Sequence, residues 1–250
     1  MKVFLLDKYS AIAFLLIAVF TVTLIVGMPP SAPAFSQNGR ALPIYSVETP
    51  EKAVSVTFDT AWGNEDIDAV IDALANADCK ATFFITGEWA EKFPNDVKKL
   101  HGAGHEIASH SDSHKHFSSL SEEEMIKDMD TADAKLKNLT GADNILFRAP
   151  YGEYNETLVL ACRKTDRYII QWSLDSLDYK GLSTKQMEDR ILPKLREGDI
   201  ILFHTGTDNT AAALGEILGK IKAEGYEFKT VGELIYKDNF TIDHEGRQRM

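Results

Sequence analysis

Cysteine is nearly absent from this chain, with two in 250 residues. Cys79 precedes a strand-like run and Cys162 falls in a helix-like one, so both read as small buried residues and a disulfide framework is excluded. Basic charge is scarce as well. Lys and Arg number 27 against 38 Asp and Glu, giving a formal net charge of -11. No basic stripe occurs, which excludes nucleic acid as a partner because its phosphate backbone would be repelled. Between Lys8 and Arg40 charge is missing altogether, and residues 11–28 are almost continuously apolar. A run of that length spans a bilayer as a helix and lacks the polar face of a core helix. Ala32-Pro33-Ala34 looks like a small-residue cleavage site. Residues 1–28 are therefore expected to be a signal anchor or a signal peptide, and both put the remainder outside the cytoplasm, membrane-anchored or secreted.

The rest of the chain is rich in ordered pattern. Residues 29–50, with Pro29, Pro30 and Pro33, read as a linker; residues 51–236 read as one domain, and 237–250 as a loose polar tail. Val54-Ser55-Val56-Thr57-Phe58, Ala81-Thr82-Phe83-Phe84-Ile85, residues 105–109, Ile145-Leu146-Phe147, residues 168–172 and Ile200-Ile201-Leu202-Phe203 are apolar or β-branched runs of strand length. Helix-period stretches lie between them at 65–77, 88–100, 122–139, 155–164, 184–195 and 210–223. Repeated βα units predict a parallel sheet, either doubly wound or closed into a barrel.

Polar residues gather just past these strands, where α/β folds build their sites. Asp59 follows the first strand, His110 and His114 the third, Arg148 the fourth, Asp175 and Asp178 the fifth, and His204 the last. His110 and His114 are spaced i and i+4, which brings both imidazoles to one metal ion if the backbone turns helically. In a chain with seven histidines that spacing also arises by accident. Each residue has a bland alternative too: Asp59 as a helix cap, Arg148 as a surface charge, His204 as a core histidine. Together they supply metal ligands, a carboxylate, a cation and a further histidine, the equipment of metal-assisted hydrolysis.

The ordered motifs Thr57-Phe58-Asp59, His110-Ser111-Asp112-Ser113-His114, Arg148-Ala149-Pro150-Tyr151-Gly152, Trp172-Ser173-Leu174-Asp175-Ser176-Leu177-Asp178 and Leu202-Phe203-His204 resemble the polysaccharide deacetylases of the NodB-homology type, carbohydrate esterase family four. The similarity runs from Lys52 to Ile235, and Trp62-Gly63-Asn64 with the apolar segment looks most like the sporulation-associated, PdaB-like branch. The resemblance implies a distorted (β/α) barrel that hydrolyses N-acetyl groups of amino sugars in cell-wall glycan with a divalent metal ion, zinc foremost, and acts as a monomer. It further implies His110 and His114 as metal ligands and Asp59 as general base kept ionised by Arg148. Tyr151 would offer its backbone amide to the oxyanion, Leu202 would line the acetyl pocket, and His204 would be the general acid oriented by Asp175.

Two positions depart from the family pattern. A second aspartate normally follows the base and completes the metal site, whereas Thr60 stands here, and a neutral hydroxyl is a far weaker ligand. Asp66 either reaches in as the substitute or is simply an acidic residue in a helix's first turn. Tyr179 replaces the tryptophan that often closes the fourth motif. Three classes therefore stay open: an active glycan deacetylase, a metal-poor relative that binds glycan without turnover, and a hydrolase of small amides. Metal content separates the first two. An open groove rather than a closed pocket separates glycan from a small substrate.

Overall fold

The computed structural model describes residues 41–250, so the expected membrane segment and most of the linker lie outside the described residues. In chain order the first half contains β1 (Ser46–Val47), β2 (Ala53–Thr60), α1 (Ile67–Asn76), β3 (Thr82–Ile85), α2 (Gly87–Lys92), α3 (Pro94–Gly102), β4 (Glu106–Ser109) and α4 (Glu122–Thr140). The second half contains β5 (Leu146–Phe147), α5 (Glu156–Lys164), β6 (Tyr168–Ile169), β7 (Leu174–Asp175), α6 (Thr184–Ile191), β8 (Ile200–His204), α7 (Thr210–Ala223), β9 (Glu227–Phe228), α8 (Val231–Leu234), β10 (Thr241–Ile242) and β11 (Arg247–Arg249). The expected helix over 88–100 is two helices. Pro94 has no N–H to continue α2 and restricts Phe93 before it, so it opens α3 instead.

The main sheet is parallel and curled, in the order β6-β5-β4-β3-β2-β8-β7, with β9 beside the start of β2. This is the distorted barrel that the family resemblance implied, and it settles the choice that the alternation of strands and helices left between a doubly wound sheet and a barrel. All eight residues of β2 are buried, as expected of a central strand covered on both faces. Strand alternation sorts its side chains. Val54, Val56 and Phe58 join Phe83, Ile85, Ile201 and Phe203 in the large core under the helices. The other face carries Ser55, Thr57 and Asp59, and the register sets Asp59 beside Phe84 on β3 and His204 on β8. The inward face of the barrel is thus polar toward the carboxyl ends of its strands, and that is where the site forms.

The polar tail and the end of the linker do not behave as expected. Residues 41–44 are buried, and β1 pairs in parallel with β11, which pairs antiparallel with β10. Gln248, wholly buried, explains why a polar stretch is ordered. Its side-chain amide donates to the Tyr236 carbonyl at 2.6 Å and its Oε1 accepts from the Tyr236 N–H at 2.8 Å. Ile44, Val47, Phe240 and Ile242 complete the core at this end of the barrel.

Candidate active site

Arg148 is fully buried just past β5. A buried cation requires partners, and its Nη1 donates to Asp59 Oδ1 at 2.8 Å and to Thr57 Oγ1 at 2.9 Å, while Nη2 donates to the Gln171 carbonyl at 3.1 Å. The guanidinium also lies 4.0 Å over the Phe84 ring. Burial pushes the Asp59 carboxyl up, but the neighbouring His110, Arg148 and His204 outweigh it and hold the group below its ordinary pKa. Asp59 is therefore an ionised carboxylate.

His110 Nδ1 lies 2.8 Å from the Arg148 carbonyl. A carbonyl only accepts, so Nδ1 carries the proton and Nε2, 3.5 Å from Asp59 Oδ2, keeps its lone pair. Burial lowers the pKa of His110, and it lowers that of His114 to about 4, so both rings are neutral at pH 7. Their centroids are 5.0 Å apart. The expected helical turn is absent. Ser111 and His114 instead take left-handed backbone, at φ of 71° and 52°, and the bend between them brings the rings together. Asp128 on α4 holds that bend by accepting the Asp112 N–H at 2.6 Å, and Ser111 Oγ accepts the His114 N–H at 2.9 Å.

His204 ends β8 with 8 % exposure. Its partner is Asp178 and not Asp175. Asp178 Oδ1 lies 2.8 Å from His204 Nδ1, and Oδ2 accepts the His204 N–H at 2.7 Å and the Thr210 hydroxyl at 2.6 Å. Asp175 accepts the Leu177 N–H at 2.8 Å, and the left-handed Leu177 (φ 54°) turns the chain so that Asp178 faces the histidine. Burial works to lower the His204 pKa, but the bond from Asp178 and the charges of Asp59, Asp178 and Asp175 raise it overall.

A cavity of about 630 Å³ joins these groups, with Leu202 and Asp175 in its wall. Trp62, Tyr151 and Tyr179, each about half exposed, ring its mouth. Tyr151 has left-handed backbone (φ 61°), which costs a non-glycine residue roughly 1–2 kcal/mol, and its ring stacks on His116 at 4.1 Å. Sequence reasoning passed over His116 and Asp128, whose contacts depend on the loop path.

Among the described residues no group of three or more His, Cys, Asp or Glu side chains is arranged around one metal position. The two neutral imidazoles fit a divalent ion as donors, and the third place is not filled by a carboxylate. Asp66 is not brought into the cavity wall: its Oδ1 accepts the Gly206 N–H at 2.9 Å and its buried Oδ2 makes no hydrogen bond. Thr60 is fully buried with an unpartnered hydroxyl, and alternation along β2 turns it to the face of Phe58.

Comparison with known proteins agrees with this geometry. The family model described as polysaccharide deacetylase matches residues 46–169. A peptidoglycan-N-acetylglucosamine deacetylase of Bacillus cereus is 33% identical over 186 residues, 73% of this chain and 68% of the relative. The solved structure of a peptidoglycan N-acetylglucosamine deacetylase superposes with a TM-score of 0.75 at 31% identity, covering 81% of this chain and 97% of that one. A family-four pseudoenzyme from Bacillus anthracis superposes equally well, with a TM-score of 0.75 at 27% identity and coverage of 84% and 73%. Sequence, barrel and the ordered site motifs converge: this chain belongs to the polysaccharide deacetylase family, carbohydrate esterase family four.

Proposed function

We propose that the protein hydrolyses N-acetyl groups from the amino sugars of cell-wall glycan, outside the cytoplasm. The observation that carries the reading is the adjacency of an ionised carboxylate, Asp59, and a histidine biased toward its protonated form, His204, at paired positions on neighbouring strands. An amide is a poor electrophile with a poor leaving group, so its hydrolysis needs a base for water and an acid for nitrogen. Asp59 takes the proton from the attacking water as the new C–O bond forms, and Arg148 keeps it ionised for that role. The Tyr151 backbone amide faces the oxyanion and Leu202 the acetyl methyl. His204, held by Asp178, protonates the departing nitrogen as the C–N bond breaks, releasing acetate and a free amine. A divalent ion held by His110 and His114, zinc foremost, would polarise the water and the carbonyl.

The three exposed aromatic rings at the cavity mouth favour a glycan over a small amide, because sugar faces stack on such rings. The incomplete ligand set favours, as a second reading, a relative that binds glycan with little turnover. Acetate release from peptidoglycan and from N-acetylglucosamine oligosaccharides, measured with metal content, tests both. Bound metal with acetate supports the deacetylase; bound glycan without metal or acetate supports the second reading, and no acetate with no glycan binding overturns both.

A further inference from the structure

Asp66 occupies the N-cap position of α1 but makes no side-chain capping bond there. An aspartate at that position ordinarily accepts an N–H from the helix's own first turn. Here the carboxylate is directed across the chain to the Gly206 N–H, in the loop that follows His204 and lines the cavity through Gly206, Thr207 and Asp208.

The contact is part of a tightly built seam. Gly206 has φ of +71°, and a Cβ on it would come within 2.9 Å of the Gly63 backbone nitrogen, so the two loops touch backbone to backbone. From the other side the buried Trp89 donates its indole N–H to the Gly63 carbonyl at 3.1 Å. Asn64 donates to Asp96 at 2.8 Å. The segment 62–66 is thus pinned from α2, from α3 and from the loop after β8. The residue these bonds position is Trp62. Its ring, 52 % exposed, lies 5.1 Å from that of His114 and 6.4 Å from that of His204, so it stands over the two sides of the reacting centre.

We infer that Asp66 is a latch between the two loops, a positioning residue that sets Trp62 as the platform on which the pyranose ring bearing the acetamide stacks. The inference rests on the deacetylase reading for the identity of the sugar, and on the seam itself for the latch. A charge-assisted bond to a backbone amide orders a loop without touching the reaction, so its loss appears in substrate binding.

Two measurements separate the possibilities. With an N-acetylglucosamine oligosaccharide as probe, Asp66→Ala should raise KM about tenfold, the effect of one such bond, with kcat changed far less. Asp66→Asn, whose amide oxygen still accepts the Gly206 N–H, should restore KM, and both variants should retain as much metal as the parent. Hydrogen exchange at the Gly206 and Thr207 amides reads the latch without turnover: Asp66→Ala should exchange faster and Asp66→Asn should stay protected. Unchanged protection in Asp66→Ala overturns the latch. Faster exchange with an unaltered KM overturns the role of Trp62, and loss of metal in either variant makes Asp66 a ligand after all. A parent that releases no acetate counts against the deacetylase reading alone, while the exchange result still decides the latch.

Discussion

At the residue scale, the site is a set of buried charges kept in defined states by their neighbours. His204 needs its proton for the reaction proposed, and Asp178 raises its pKa, so the alkaline limb of the activity profile follows that pKa. Replacing Asp178 with asparagine removes the raising charge and should shift this limb to lower pH, readable in kcat/KM against pH. His204→Ala should lose about 10²- to 10⁴-fold in rate, the usual contribution of a general acid, while keeping its metal; loss of metal would make His204 a ligand. By contrast, His110→Ala and His114→Ala should each abolish metal retention with circular dichroism unchanged. Asp59, Arg148, His110, His114 and His204 were legible in the sequence because each follows a recognisable strand. The pairing of His204 with Asp178 was not, because it depends on the left-handed turn at Leu177, in a four-residue stretch, 175–178, that offered an aspartate at each end.

Among the elements, the strands and helices of the barrel followed from hydrophobic period, and the misses were short. β7 and β9 have two residues each, too few for alternation to register. The bend carrying the histidine pair was also hidden, since i, i+4 spacing suggests a helix and Ser111 and His114 adopt left-handed backbone that no composition announces. α4 compensates for that backbone through Asp128. Asp128→Ala should therefore release the Asp112 N–H and loosen the bend, lowering stability by about 1–3 kcal/mol as a polar group loses its partner. Metal retention should weaken in parallel, measured by dialysis against a chelator of graded strength. Normal metal affinity in a destabilised variant would show that the histidines are held by the strand end alone.

For the whole molecule, the decisive surprise is the carboxyl terminus. Polarity and the absence of a long periodic run made residues 237–250 read as loose, yet Gln248 is buried and Phe240 and Ile242 sit in the core. Ending the chain after Tyr236 should therefore expose Ile44 and Val47 and unpair β1. The expected outcome is a clear drop in Tm and in soluble yield, with the truncated protein binding a hydrophobic dye; an unaltered Tm would mean that the small sheet is ornamental.

The pairing of β1 with β11 also has a mechanical meaning. The two strands run in the same direction and lie near opposite ends of the described chain. A stretching force applied between residues 41 and 250 therefore slides one strand along the other. Their hydrogen bonds share that load in shear instead of opening one after another like a zipper, so the barrel is fastened at the place where tension on the polypeptide would first be felt.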